Sequence, residues 1–442
     1  MFRTAQEEIL PGLCEISEGK KMKDSCKEVL NFVKENDVKF IRLAFCDNVG
    51  LQKNISLQPG ELERAFESGI PFNAWELPGF HLPVGTKLLL RPDARTLSVL
   101  PWRPSSGRVI RLFCDLMNAD GTPYGGDTRA MLQQTVLDAA QQGYSIRIGS
   151  ACEFYLFNTD ENGTPTLVPQ DKGTFFDIAP ADKGENVRRE ICLTLYEMGI
   201  IPESSHHAVG PGQNEVVFRS SDALSAADNF MTFKSVVKQA ASVNGLFASF
   251  MPEPLEKEQS SALTLMFEIY KDGKNIFEEK MLEPEACGFV AGILDRLPEL
   301  MPYLKPTTNS YGADSRRESG WSNLSGKFSV CIPAIAGIKG RMELTAADPA
   351  INPHLAYALL IRAGLEGIRM EKTLPRMDVT YGKLPATLRQ ALTAANRGDF
   401  GKTYIPKDVL STYMKDKQDL INDYTKAKKK AEYDLQTYFA VL

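Results

Sequence analysis

The sequence predicts an α+β protein in two modules, and three observations carry that prediction. Extended segments follow one another through tight turns, as at Asp160-Glu-Asn-Gly163 and Lys271-Asp-Gly-Lys274, where a parallel sheet would need long crossovers. Long helical patterns are interleaved with these strands, so helices cover a largely antiparallel sheet. A Pro- and Ser-rich stretch, residues 101–107, is the clearest linker and separates a smaller module, 1–105, from a larger one, 106–442. With 442 residues the chain has room for two or three domains of ordinary size.

In chain order, residues 25–35 place apolar side chains at helical spacing, and 38–46 alternate as a strand closed by the turn Asp47-Asn-Val-Gly50. A helix over 58–67 leads to an irregular aromatic segment, 72–80. Short strands follow within 88–102, separated by Arg91-Pro-Asp-Ala94. The larger module starts with a strand over 109–115. A helix then begins at Asp127 or Thr128, either of which can accept from a free N–H of the first turn, and ends at Gly143. Helices over 182–198 and 222–243 stop at Gly199 and Gly245, and strands are expected at 148–157, 247–251, 262–270, 328–332 and 340–345. Helices at 285–297 and 354–370 and a helical tail from 407 complete the pattern.

Composition excludes several classes. A net charge of -5 gives no concentrated basic surface for nucleic acid or an anionic membrane. The basic run at 426–430 falls in a helical pattern and reads as a solvated face. The eight cysteines form no Cys-x-x-Cys pair, which fits reduced thiols better than disulfides or a zinc site. No apolar run reaches the roughly 20 residues needed to span a bilayer, and the first residues lack the apolar centre of a signal peptide, so a cytoplasmic protein is expected.

The chemistry centres on residues 148–157, Ile-Gly-Ser-Ala-Cys-Glu-Phe-Tyr-Leu-Phe, an apolar run holding one acid, Glu153. In a strand, Ala151 and Glu153 share one face while Phe154 and Leu156 take the other. A Glu within a packed strand needs a metal, a basic group or water on its face; otherwise it marks a frayed strand end. Glu215 heads a second apolar strand, and Glu343 shares a face with Arg341 and Thr345. Acids on three strands can converge on a hard cation, which takes carboxylate oxygens readily. No P-loop and no Gly-x-Gly-x-x-Gly follows a strand.

The order of these elements and the strings that punctuate them resemble the glutamine synthetase family, in its shorter bacterial type I form, over nearly the whole chain. Matching strings include Phe45-Cys-Asp-Asn-Val-Gly50, Asp120-Gly-Thr-Pro123, Asp127-Thr-Arg129, Lys172-Gly-Thr-Phe-Phe-Asp177, Ser205-His-His207, Gly212-Gln-Asn-Glu215, Asn309-Ser-Tyr311 and Asp348-Pro-Ala-Ile-Asn-Pro353. The resemblance implies an N-terminal β-grasp domain and a C-terminal catalytic domain. It also implies a dodecamer of two stacked hexameric rings and the ATP-dependent joining of glutamate and ammonia in nitrogen metabolism.

Against the family pattern, the metal-binding acids Glu153, Glu215 and Glu343 survive. Two others are Ala151 and Ala208, and the histidines expected on a later strand are Thr264 and Met266. The string that supplies the ammonium-binding aspartate aligns with Asn73-Ala-Trp75-Glu76, and the arginine that holds the substrate carboxylate is Thr345. Further expected arginines fall on Ala313, Gly326 and Cys331, with Arg316, Arg317 and Lys327 nearby. Glu203, His206 and Arg341 match residues near ATP, whereas Glu268 stands where the family has a serine beside the nucleotide. The resemblance therefore implies a degenerate member, a pseudoenzyme with room for one Mg²⁺ or Mn²⁺ ion and a site unfavourable to ATP. It would be kept for regulation, scaffolding or co-assembly with an active glutamine synthetase. The alternatives are an ATP-dependent ligase for another amine, using Glu153, Glu215 and Glu343, and a metabolite-binding sensor.

Overall fold

The computed structural model describes residues 15–77, 79–278, 282–312, 318–324, 326–333 and 340–442, the side chains of 15–23 excepted. In the smaller module, β1 (Val38–Cys46) turns back into β2 (Gln52–Leu57) through a tight turn in which the Asp47 carboxylate accepts from the N–H groups of Val49 and Leu51. Strands β3 (Ile70–Asn73), β4 (Lys87–Pro92), β5 (Ser98–Val99) and β6 (Arg108–Met117) complete a sheet ordered β2-β1-β6-β4-β3, with β5 beside β6. Helices α1 (Glu15–Glu35) and α2 (Leu62–Ser68) pack on it, and Val29, Val33, Ile41, Leu43, Leu62, Leu90 and Leu112 form its core.

β6 corrects the sequence expectation, which put 109–115 in the larger module. It lies parallel to β1, with Ile41 beside Ile110 and Leu43 beside Leu112, so its apolar face belongs to the first core. The smaller sheet thus continues past the 101–107 linker.

The second sheet contains β7 (Tyr144–Thr159), β8 (Pro165–Pro169), β9 (Pro202–His207), β10 (Gln213–Asp222), β11 (Leu246–Ser249), β12 (Leu263–Lys271), β13 (Lys274–Asn275), β14 (Glu318–Ser322), β15 (Phe328–Cys331) and β16 (Met342–Ala347). Its main path runs β14-β15-β16-β12-β7-β10-β9, antiparallel throughout except for the β14–β15 edge. Helices α3 (Thr128–Gln141), α4 (Glu185–Glu197), α5 (Ala223–Val243), α6 (Pro284–Leu304) and α7 (Pro353–Arg369) belong to this module, and α8 (Leu388–Arg397), α9 (Phe400–Tyr404) and α10 (Lys407–Lys426) form the tail.

Asp127 caps α3 as expected, accepting from the Arg129 N–H. α4 starts later than predicted, at Glu185, because the Asp182 carboxylate accepts from the Gly184 N–H and pairs with Arg188 instead of entering the helix. α6 runs past its predicted end through Pro298 and Pro302. Each proline removes one backbone donor, but the helix is held along its length against α7. The two helices meet backbone to backbone, and a Cβ on Gly292 would lie 2.2 Å from the Ala363 carbonyl oxygen.

The modules are joined by Arg129 on α3, whose guanidinium bonds Asp93 and Asp115 of the smaller module and Asp228 of α5. His354 Nε2 lies 2.8 Å from the same Asp228. Burial opposes the Asp228 charge, but Arg129 and His354 outweigh it and hold that carboxyl well below the usual range.

Candidate functional site

β7 is the spine of the site. Its even-numbered side chains, Cys152, Phe154 and Leu156, are fully buried, and the Phe154 ring lies 6.1 Å from Phe233 of α5 and 5.7 Å from Phe250. Its odd-numbered residues Arg147, Gly149, Ala151 and Glu153 therefore share the opposite face.

Sheet register fixes what stands beside each of them. Glu153 is directly opposite Glu215 on β10, and Glu215 is opposite His206 on β9. Ala151 lies between Val217 and Thr264, and Gly149 is opposite Met266. Met266 is in turn opposite Glu343 on β16, and Arg147 is opposite Glu268. Two carboxylates thus meet at one end of the face, a third lies on another rung two strands away, and aliphatic, thioether and hydroxyl groups fill the middle.

At the Glu153 end, Glu153 Oε2 accepts from the Ala262 N–H at 2.7 Å and from Gln213 Nε2 at 3.2 Å. The partners of this half-buried acid therefore include the protein's own amide groups, and Glu153 sits inside a regular strand, not at a frayed end. Burial pushes the Glu215 carboxyl above its ordinary value. His206 Nε2 lies 3.7 Å from Glu215 Oε1. Burial, with the Arg188 and His207 charges, pushes the His206 pKa down, so its ring is neutral at neutral pH and gives Glu215 little electrostatic support. The exposed rings of Phe175 and Phe176 flank His206 at 5.4 and 4.7 Å.

The head of β10 reaches this position through Gly212. Its φ is +68°, and a Cβ there would lie 2.7 Å from the Leu156 carbonyl oxygen.

The other predicted site residues are held elsewhere. Arg341 grips Glu343 through Nε at 3.0 Å and Nη2 at 2.7 Å, both on Oε1. The Thr345 hydroxyl donates to the Phe328 carbonyl, toward β15. Glu268 accepts from the Ser220 hydroxyl and from Tyr270 Oη, and Arg147 Nε lies 3.7 Å away. The new carboxylate has thus acquired a cation of its own. Glu203 is exposed and lies 3.7 Å from Arg219. Glu203 and His206 share β9, whereas Arg341 stands at the head of β16, across the sheet from them. Lys327 is exposed at the sheet edge, 3.4 Å from Glu318. Arg316, Arg317 and Ala313 lie outside the described residues.

Two groups merit testing as metal sites. Glu153 and Glu215 face each other and can offer two carboxylate ligands to one Mg²⁺ or Mn²⁺, with water completing the octahedron. Ala208, where a third acid would stand, is buried and apolar. Glu343 lies on a different rung and is occupied by Arg341, so it does not extend this pair.

The second group, Asp171, Asp182 and His207, escaped sequence reasoning. Its ligand atoms lie within 4.8 Å of one another and all three residues are buried. Those atoms are already engaged. Asp171 accepts from the N–H groups of Gly173, Lys183 and Gly212 and faces His207 Nε2 at 2.9 Å, while Asp182 is held by Arg188 and the Gly184 N–H. His207 Nδ1 lies 2.8 Å from the Ala208 carbonyl oxygen. With a guanidinium in the cluster and its oxygens facing donors, the group ties β9 to the segment before α4 and leaves no open position for a cation.

Cys26, Cys46, Cys114, Cys152, Cys192 and Cys287 are free thiols, and no described helix is long and apolar enough to cross a membrane.

An N-terminal mixed sheet followed by an antiparallel sheet with acids on neighbouring strands defines a two-module α+β protein with a strand-borne carboxylate site. Comparison with known proteins narrows this further. The model of the glutamine synthetase catalytic domain matches residues 125–436, and that of the glutamine synthetase β-grasp domain matches residues 37–119. A glutamine synthetase of Clostridium saccharobutylicum is 37% identical over 435 residues, 93% of this chain and 98% of the relative. One from Methanosarcina mazei is 37% identical over 411 residues, 88% and 92% of the two chains. A solved structure of a GmaS/ADP complex superposes with a TM-score of 0.83 at 25% identity, covering 92% of this chain and 98% of that one. The chain belongs to the glutamine synthetase family.

Proposed function

We propose that this family member does not join glutamate to ammonia and serves as a regulatory, scaffolding or co-assembling homologue. The observation that carries the reading is the middle of the face. Ala151, Thr264 and Met266 supply no charged ligand, and the acid beyond them, Glu343, is neutralised by Arg341. Phosphoryl transfer from a nucleotide needs cations to neutralise the polyphosphate and the charge that develops during transfer. Removing a single fixed group that stabilises such charge costs roughly 10²- to 10³-fold in rate. The relatives are named as enzymes, so the reading rests on this chain's own side chains. The assembly we infer is a cytoplasmic dodecamer of two hexameric rings, formed by this chain alone or mixed with an active glutamine synthetase.

The test is ADP release from ATP with glutamate, ammonium and Mg²⁺ or Mn²⁺, beside the Clostridium saccharobutylicum relative. We expect no release above background, and turnover near that of the relative would overturn the proposal.

A second reading is an ATP-dependent ligase that joins a different amine. The facing pair Glu153 and Glu215 favours it, as does the likeness to GmaS, whose solved complex holds ADP. A panel of amines and carboxylates with ATP and Mn²⁺ separates the two, because this reading requires ADP release with at least one member.

A further inference from the structure

We propose that the cavity between the two modules is a binding site for a small dianion bearing carboxylate or phosphate groups. The cavity measures about 200 Å³ and lies under β1, β2 and β6, closed by α5 and by the linker at Leu100 and Trp102. None of its lining residues belongs to the Glu153 face, and the proposal stands whether or not that face is catalytic.

Its central feature is a pair of arginines. Arg42 on β1 and Arg111 on β6 are direct neighbours in the parallel register, and both line the cavity. The lining residues include no carboxylate. Arg111 is buried. Its Nη1 donates to Thr232 Oγ1 at 2.5 Å and its guanidinium stacks on Phe113 at 4.2 Å, but its Nε has no hydrogen-bond partner. Burial pushes the Arg111 pKa down to about 10, and the attraction of the Asp228 charge offsets that penalty only in part. Arg42 forms no ion pair or hydrogen bond with any described residue, and Arg103 adds a third positive charge nearby.

The chain treats its other buried arginines differently. Arg129 is enclosed by three aspartates and Arg188 is paired with Asp182. Leaving a buried charge incompletely compensated is unfavourable. An anion entering the cavity meets both arginines, and guanidinium forks match the planar oxygens of carboxylate and the oxygens of phosphate. Gln52, Asn54 and Gln239 line the remaining wall and offer amide donors for the rest of such a ligand.

The experiment is a thermal-shift titration of the full-length protein with inorganic phosphate, succinate and, as monoanion control, acetate, at fixed ionic strength. We expect a saturable rise with phosphate or succinate that exceeds the acetate response, and the stronger of the two names the ligand class. Arg42→Gln, at a half-buried strand position that tolerates the change, is expected to weaken the response by roughly tenfold or more, as loss of one charged hydrogen-bonding group does. Arg111→Met is expected to abolish it. No saturable rise with either dianion, or an equal rise in Arg42→Gln, overturns the proposal. ADP release does not enter this readout, so failure here leaves the reading of the Glu153 face untouched.

Discussion

Replacing Glu215 by Gln tests whether the surviving acids are an idle remnant or a working ligand pair. Glu215 stands directly opposite Glu153, its side chain is 22% exposed, and its nearest basic group is a neutral His206 ring. Burial raises its folded pKa above the unfolded value, so the fold prefers the protonated acid. The cost of the charge is absent below the unfolded pKa, grows as pH rises through it, and is complete above the folded pKa. Directly opposed like charges in a sheet are destabilising by about 0.2–1 kcal/mol, so Glu215→Gln should gain about that much at pH 8 and nothing at pH 4. For a protein of this size the gain corresponds to roughly 1 °C or less in melting temperature. In EDTA the variant should melt at or above wild type. With Mn²⁺ at ten times its Kd, an ion held by both acids adds about 1.4 kcal/mol to wild type alone, reversing the order. A variant that is less stable than wild type in EDTA at pH 8, or equally favoured at pH 4 and 8, would refute the reasoning, because Glu215 would then have a structural partner.

Other substitutions read the scaffold. Arg129→Met leaves Asp93, Asp115 and the buried Asp228 without their shared cation and is expected to cost about 3–5 kcal/mol, visible as a lower urea midpoint. Arg341→Gln strands the buried Glu343 at a cost of about 1–3 kcal/mol. Adding Glu343→Gln should recover most of it, and additive losses in that double-mutant cycle would deny the pairing. Gly212→Ala forces a Cβ into a left-handed residue against the Leu156 carbonyl and is expected to destabilise by at least about 1–3 kcal/mol in thermal melts.

Sequence patterning made some of this architecture legible and hid the rest for physical reasons. The alternation leading to Glu153 separated core from open face, because from Tyr144 to Phe154 the even-numbered side chains of β7 are buried while Ser145, Arg147, Ala151 and Glu153 are not; beyond it, Tyr155 and Phe157 are buried as well. Pro202-Glu-Ser-Ser-His-His207 carries no apolar alternation, so β9 was invisible; it is a strand because β10 supplies its hydrogen bonds. β6 was placed in the wrong module because nothing local says that Ile110 pairs beside Ile41, sixty-nine residues earlier. Helix α6 outran its predicted end because packing against α7 offset two prolines that local rules treat as stops. In the site, the shared face of Arg341 and Glu343 was readable, but their pairing was not. The Arg42–Arg111 neighbours exist only through the β1–β6 register.

The most direct measurement is the number of Mn²⁺ ions bound per chain, titrated by electron paramagnetic resonance on the intact assembly with and without ATP. We expect at most one weakly held ion, lost in Glu215→Gln and unchanged by ATP. Two tightly held ions per chain, with the second strengthened by ATP, would contradict the conclusion that Ala151, Thr264 and Met266 leave the middle of the face without a second metal site.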